Sequence, residues 1–408
     1  MQLNRVVITG RGAISPFGLG VETLYDGIWS GRSAVRHMEK WHAIGGLKSH
    51  LAAPAPPLDI KKLLPRPLRR TMGTAAIFAT LAAGEAVKDA GISQSEISSG
   101  FLGTAIGSTT GSPAAYEDFY ETFLPNKEMS GIKSGEFFKM MGHSCSANVC
   151  LALGIAGEQW APASACTSSA QAVGLGYMLI QTGRQQMMLC GGADEVHHSV
   201  TGVFDVIKAA SYKNDRPEQT PSPFDRDRDG VVCGEGCGIL LLESYDSAIR
   251  RGAKIYAEII GFGNVNDSKH IASPHEDAMI RAMRSALREA KVSSADIDYV
   301  NAHATGTEQG DVAEASAIFD VVGSLTPVSS LKGHIGHTLG AAGSLELISV
   351  VEMMARQEVI PTRNLINPDP KCQQIDLLLR KKKHKIDFAL KNNFALGGVN
   401  TALVLRRI

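Results

Sequence analysis

A cysteine and two histidines carry the chemistry that this sequence could perform. Cys166 stands in WAPASACTSSAQAVGLGYMLIQ, where an apolar run ends at Ala165 and a helical pattern begins at or just after the cysteine. A helix start presents unpaired N–H groups and the positive end of the backbone dipole. That setting favours a thiolate and predicts a lowered thiol pKa, so the sulfur could attack without an immediate base. A free cysteine is more often a small core residue, and Cys166 alone decides nothing. His303 follows a strand-like run in NAHATGTEQGD. His337 lies in SSLKGHIGHTLGAAG, ahead of a Gly/Ala-rich helical pattern. Lys332 ends the strand-like run before it, and His334 falls between. Both His303 and His337 therefore stand at strand ends, where α/β folds place their sites.

A cysteine hydrolase needs only one histidine, oriented by an acid or amide, and would leave Lys332 and one histidine unexplained. Two imidazole N–H groups aimed at one oxygen suit a different task. Decarboxylation of a malonyl thioester puts negative charge on the thioester oxygen, and two donors would hold that enolate. Losing one such donor typically costs about 2.7–4 kcal/mol of transition-state stabilisation. The Gly397-Gly398 turn can supply backbone N–H groups near Cys166 for a second oxyanion, formed when a nucleophile attacks a thioester. These residues require no metal or organic cofactor. Cys233 and Cys237 form C-x3-C in VVCGEGCG without a second pair, which favours small buried residues over a metal site.

The elements that must position these groups read as an α/β protein. Residues Arg5–Thr9 predict a buried strand. The following Gly10-x-Gly12 lacks the third glycine of a dinucleotide loop, because Ser15 stands there, and reads as a tight turn. Residues 74–90 predict a helix capped by Gly91. Segments 38–70 and 111–142 read as loop-rich excursions. A coarse duplication runs through the chain. FLGTAIG (101–107) matches IDYVNAHA (297–304), the helix from Cys166 matches the one from Gly340, and MMLCGGADE (187–195) matches FALGGVNTA (394–402), read as a strand breaking at a Gly pair. Two βαβ-type halves follow, residues 1–250 with the cysteine and 251–408 with both histidines, their seam near 245–255.

Composition narrows the partners. The 408 residues carry 41 Lys plus Arg and 41 Asp plus Glu, so no general charge favours nucleic acid or an anionic membrane. No stretch approaches the ~18 apolar residues of a membrane span. Seven cysteines in a long chain argue against a disulfide framework and for a reducing, cytoplasmic setting.

Taken together, VVITGRGAISPFG, ACTSSA, CGGADE, PFDRDRDGVVCGEGCG, NAHATGTEQGD, SSLKGHIGHTLGAAG and NFALGGVN resemble, nearly end to end, a β-ketoacyl-[acyl-carrier-protein] synthase of the elongating type. The resemblance implies a thiolase-like five-layered αβαβα fold and a dimer. It implies decarboxylative condensation of malonyl-carrier with an acyl chain held on Cys166 at a nucleophile elbow. His303 and His337 would assist decarboxylation, and Lys332 would be positioned by Glu346. The oxyanion hole would use the N–H groups of Cys166 and Leu396. His334 matches no catalytic position and reads as structural. The family's gating phenylalanine is replaced here, the turn being Ala395-Leu396-Gly397-Gly398, and Val399 stands for the common threonine. These departures, with the divergent segment 111–120, point to specialised polyene or polyketide assembly, where the partner subunit can be a cysteine-less chain-length factor. The present chain has the cysteine that such a factor lacks. A thiolase would need a second cysteine near the C-terminal glycine turn, and NNFALGGVNTA has none. An acidic carrier protein needs a basic patch. Candidates are Lys61, Lys62, Arg66, Arg69 and Arg70, and Lys208, which falls where the family docks its carrier. The run 380–383 reads as solvated surface.

Overall fold

The computed structural model describes residues 3–408. Its principal strands are β1 (Val6–Ser15), β2 (Leu102–Gly107), β3 (Gln159–Trp160), β4 (Met187–Asp194), β5 (Gly236–Ser244), β6 (Ala257–Asn266), β7 (Tyr299–Asn301), β8 (Pro327–Ser329), β9 (Asp376–Leu377), β10 (Phe388–Phe394) and β11 (Val399–Arg406). The principal helices are α1 (Thr74–Ala90), α2 (Pro113–Phe123), α3 (Ser144–Leu153), α4 (Ser168–Gln181), α5 (His198–Val206), α6 (Glu276–Ala290), α7 (Glu308–Val322) and α8 (Ala342–Arg356).

Two five-strand arrays share one wiring. The first runs β1-β5-β4-β2-β3 and the second β6-β11-β10-β7-β8, with β9 added at its edge. In each, the first two pairings are antiparallel and the next two parallel. They touch edge to edge only where Val6–Ile8 of β1 pair Ala257–Ile259 of β6. Helices α4 and α8 pack between the arrays, contacting strands of both. Helices α1 and α3 cover the first array from outside, and α6 covers the second with α7 packed beside it. The result is αβαβα layering. Both middle helices read as apolar nearly all round, as a layer with sheet on either side requires. Every residue of α8 from Ala342 to Met354 is buried.

The outer packing explains a glycine pair in each half. A Cβ on Gly12 would lie 1.9 Å from the Ala82 carbonyl oxygen of α1, and one on Gly10 2.3 Å from that of Ala86. In the second half, a Cβ on Gly263 would meet the Ala282 oxygen of α6 at 2.0 Å, and one on Gly261 the Ala286 oxygen at 2.2 Å. Gly10 and Gly12 are therefore interior to β1, not a turn. They are glycine because the helix backbone lies directly on the strand.

Other expectations shift for local reasons. Helix 74–90 ends as expected at Gly91, which takes the left-handed conformation at φ 65°. Segment 111–142 is largely helical: Ser112 accepts from Ala115 N and Pro113 opens α2, a start signal that the loop reading passed over. The glycine-pair match is also corrected. Gly191 and Gly192 lie inside β4, whereas Gly397 and Gly398 form the turn between β10 and β11, with φ 89° and 75°. By position in the sheet β4 corresponds to β10. Lys332 does not end a strand: β8 stops at Ser329, and Lys332 opens a short helical turn, Lys332–Ile335.

Candidate active site

Ala165 reaches φ 48°, unusual for a residue with a side chain, and a 3-10 turn over Ala165–Thr167 leads into α4. The turn pushes Cys166 to the head of the central helix, facing the second half. His303 follows β7, and His337 follows the Lys332 turn. The cysteine sulfur and one ring nitrogen of each histidine all lie within 4.8 Å of one another. His337 Nε2 is 2.9 Å from Cys166 Sγ. The two rings meet edge to face with centroids 5.2 Å apart. They border a cavity of about 450 Å³ that also reaches Lys208, Phe394 and Leu396.

Burial changes the electrostatics expected of a helix-start cysteine. Desolvation pushes the Cys166 thiol up to about 12, against a lowering pull from the Lys332 charge. The helix start does not outweigh burial, so the resting sulfur is a thiol that donates to His337, not a free thiolate. Both catalytic-type imidazoles are held neutral. Burial drives His303 and His337 well below the ordinary histidine range, and the charges of Lys332 and Lys391 push the same way. Each neutral ring carries one N–H and one lone pair.

Behind the rings lies a charged network that sequence reasoning found only in part. Lys332 Nζ donates to Glu346 Oε1 at 2.6 Å, with both residues buried. Lys391, on β10, was not anticipated. Its fully buried ammonium sits 2.8 Å from Glu346 Oε2 as an ion pair and donates to Asn393 Oδ1 at 2.9 Å. Burial brings it down to about 8, against the raising pull of Glu346. One carboxylate thus faces two ammonium groups, which leaves positive charge behind the imidazoles. The segment following β7 is fixed by Glu314, whose carboxylate accepts from His303 N at 2.8 Å and Ala304 N at 2.6 Å. Burial pushes that carboxyl up to about 7. Asp194 joins the halves by accepting from Thr109 Oγ1 and Gly340 N, each at 2.6 Å. A lysine in a sheet interior and acids shortly after a histidine were the available signals.

The remaining site residues separate by location. Among the described residues, neither the Cys166 amide nor the Leu396 amide donates to a backbone carbonyl. In the Ala395–Gly398 turn, Ala395 N donates to Val399 O, and Gly397 N to Ile271 O at 2.7 Å. Leu396 stands at the cavity with 36% exposure. His334 is buried between the carbonyls of Arg32 and Pro361, away from the sulfur. Lys208 is exposed at the cavity mouth, beside Val206 and Ile207. Lys61, Lys62, Arg66, Arg69 and Arg70 sit on or just after two short surface helices and do not line the cavity. In the 380–383 run, Lys383 pairs with Glu358 and Lys381 lies over the Trp29 ring.

A thiolase-like double array with a cysteine at the head of one central helix, faced by two histidines from the other half, defines a condensing acyltransferase. The family model for the N-terminal domain of beta-ketoacyl synthase matches residues 3–248, and that for the C-terminal domain matches residues 256–366. The chain belongs to the beta-ketoacyl synthase family. It is 34% identical over 419 residues to 3-oxoacyl-[acyl-carrier-protein] synthase 2 of Vibrio cholerae, covering 100% of both chains. A beta-ketoacyl synthase crystal structure from Burkholderia phymatum superposes with TM-score 0.96 at 42% identity, over 99% of this chain and 100% of that one. A type II polyketide synthase ketosynthase, solved with its acyl-carrier protein and bound to the hexaketide, superposes with TM-score 0.92 at 30% identity, over 100% of each chain.

Proposed function

We propose that the protein extends an acyl chain by decarboxylative condensation with Cys166 as the acyl carrier. The observation that carries this reading is the 2.9 Å contact of His337 Nε2 with Cys166 Sγ, with His303 beside it in one cavity. In the first half-reaction the sulfur attacks an acyl-carrier thioester. Its proton leaves through His337 to the departing carrier thiolate, and the oxyanion is met by the amides of Cys166 and Leu396. In the second, a malonyl-carrier thioester enters. Its carboxylate carbon leaves as carbon dioxide, and the bond electrons form an enolate whose oxygen accepts from His303 and His337. The enolate carbon attacks the acyl-cysteine, the carbon–sulfur bond breaks, and the sulfur regains a proton from solvent. Acylated sulfur no longer donates to His337, so its Nε2 is free to hold the N–H that the enolate needs.

The partner fitting this chemistry is an acidic acyl carrier protein, docked at Lys208 and the exposed Val206 and Ile207. A second subunit is supported by the open strand edge at β3 with exposed Trp160, flanked by exposed Phe101 and Leu151. That subunit is another copy or a chain-length factor, and co-purification distinguishes them. Action in the cytoplasm fits the unpaired state of all seven cysteines, and among the described residues no helix is long and apolar enough to cross a membrane. The leucine at the cavity mouth favours polyene or polyketide chains over ordinary fatty acyl chains. Intact-mass measurement after incubation with acyl-carrier substrates of varied length and unsaturation tests the proposal. Cys166 is expected to gain the acyl mass, and Cys166→Ala to gain none. Condensation persisting in Cys166→Ala would overturn it.

A further inference from the structure

Three histidines converge outside the cavity, where condensation has no use for them. His37 ends a short strand (Arg36–His37), His42 sits in a 3-10 turn (Glu39–Ala43), and His50 precedes a second short strand (Leu51–Ala52). The strands pair antiparallel with His37 opposite Leu51, which folds the intervening loop back on itself. Ring centroids are 4.9 Å apart for His37 and His42, 4.2 Å for His42 and His50, and 5.8 Å for His37 and His50. One ring nitrogen from each lies within 4.8 Å of the other two.

Hydrogen bonds fix where the protons are. His37 Nδ1 is 3.1 Å from the Glu39 carboxylate, and His50 Nε2 is 3.1 Å from the Leu47 carbonyl oxygen. Both oxygens only accept, so those nitrogens carry the hydrogens. The lone pairs are left on His37 Nε2 and His50 Nδ1. A carboxylate on one ring and a backbone carbonyl on another is how a protein orients metal-binding imidazoles. His42 has no hydrogen-bond partner among the described residues and is exposed, so it is free to turn inward. A tetrahedral site with Zn–N bonds of ~2.0–2.1 Å sets its nitrogens about 3.3 Å apart, a spacing that small side-chain rotations reach from here.

We propose that His37, His42 and His50 form a tripod for a borderline divalent transition ion of the Zn²⁺ kind, with water at the fourth position. Imidazole ligands select such ions over Mg²⁺ or Ca²⁺, which take oxygen. The role is structural. Lys48 N and Ser49 N donate to the Asp205 carboxylate, and His50 N donates to Asn214 Oδ1 at 2.8 Å. Asp205 lies on α5, three residues before Lys208 at the cavity mouth. An ion on the loop therefore braces the wall that carries the carrier-docking lysine.

The test is calorimetric titration of the full-length, metal-stripped protein with Zn²⁺, after alkylating Cys166 to remove its thiol as a competing ligand. Co²⁺ is titrated in parallel and followed by its visible absorption. One saturable equivalent per chain is expected, with tetrahedral-type Co²⁺ bands. His42→Ala should weaken binding more than about tenfold while circular dichroism and condensation with a small thioester stay unchanged. His198→Ala, in a separate Glu117/His197/His198 cluster, should leave binding intact. Absence of a saturable equivalent, binding unchanged in the His37→Ala/His42→Ala double variant, or loss of binding in His198→Ala instead would each overturn the proposal.

Discussion

At the residue scale, the roles of the two histidines separate by what each touches. His337 contacts the sulfur, so its removal should slow loading of Cys166 as well as decarboxylation. His303 contacts no sulfur atom at hydrogen-bond distance, so His303→Ala should load normally and lose decarboxylation by about 10²–10³-fold, the usual effect of deleting one oxyanion donor. Burst loading by mass spectrometry and carbon dioxide release measure the two steps apart. Lys391 makes a sharper prediction. Its folded pKa lies near 8 against an ordinary 10.5. Below that value the ammonium is charged and reinforces the field at the enolate. Above it that charge is lost, so the condensation rate should fall through an alkaline limb near pH 8. Lys391→Met should lower kcat about tenfold, or ~1.4 kcal/mol, and abolish that limb. A limb that survives in the variant assigns it to another group. Stability shows the opposite trend. Between about pH 8 and 10.5 the unfolded chain binds the proton that the folded chain has released, so folding stability from this group rises with pH.

At the element scale, the close strand–helix contacts divide glycines into two kinds. Gly12→Ala drives a methyl into the Ala82 carbonyl and should destabilise by about 1–3 kcal/mol or more, because neither backbone can yield. Gly84→Ala, in the same helix α1, meets nothing within 4 Å. It should stabilise by about 0.4–1 kcal/mol through the unfolded chain. Urea denaturation of the pair checks both signs. Much of this scale was legible in the sequence. The periodicity and glycine cap of residues 74–90 gave α1 to the residue. Helix α2 was missed because polar and aromatic residues on a surface helix imitate a loop. The Gly10-x-Gly12 reading failed because a glycine forced by a neighbouring helix looks the same in sequence as one forced by a turn.

At the scale of the whole molecule, the proposed docking of a carrier rests on exposed Lys208 and Ile207 at the cavity, with exposed Val206 beside them. Lys208→Glu should cut kcat/KM with acyl-carrier substrates by about tenfold and leave turnover of a small thioester mimic unchanged, since rim charges act mainly on encounter. Equal losses with both substrates would count against docking there. Arg69→Glu, in the cluster that does not line the cavity, should discriminate less.

Residue types and their order along the chain single out Cys166, His303, His337, Lys332 and Glu346 as candidates, because reactive side chains at element ends are a local pattern, and the fold brings the five together. Tertiary structure alone decided how those groups behave. Burial between two sheets raises the thiol that a helix start was expected to lower, and it makes His337 the sulfur's partner. It also brings Lys391 from β10 to the carboxylate already paired with Lys332, and gathers three histidines on a loop that the sequence marks as irregular. Desolvation and convergence depend on what packs around a group, and linear spacing carries no measure of either.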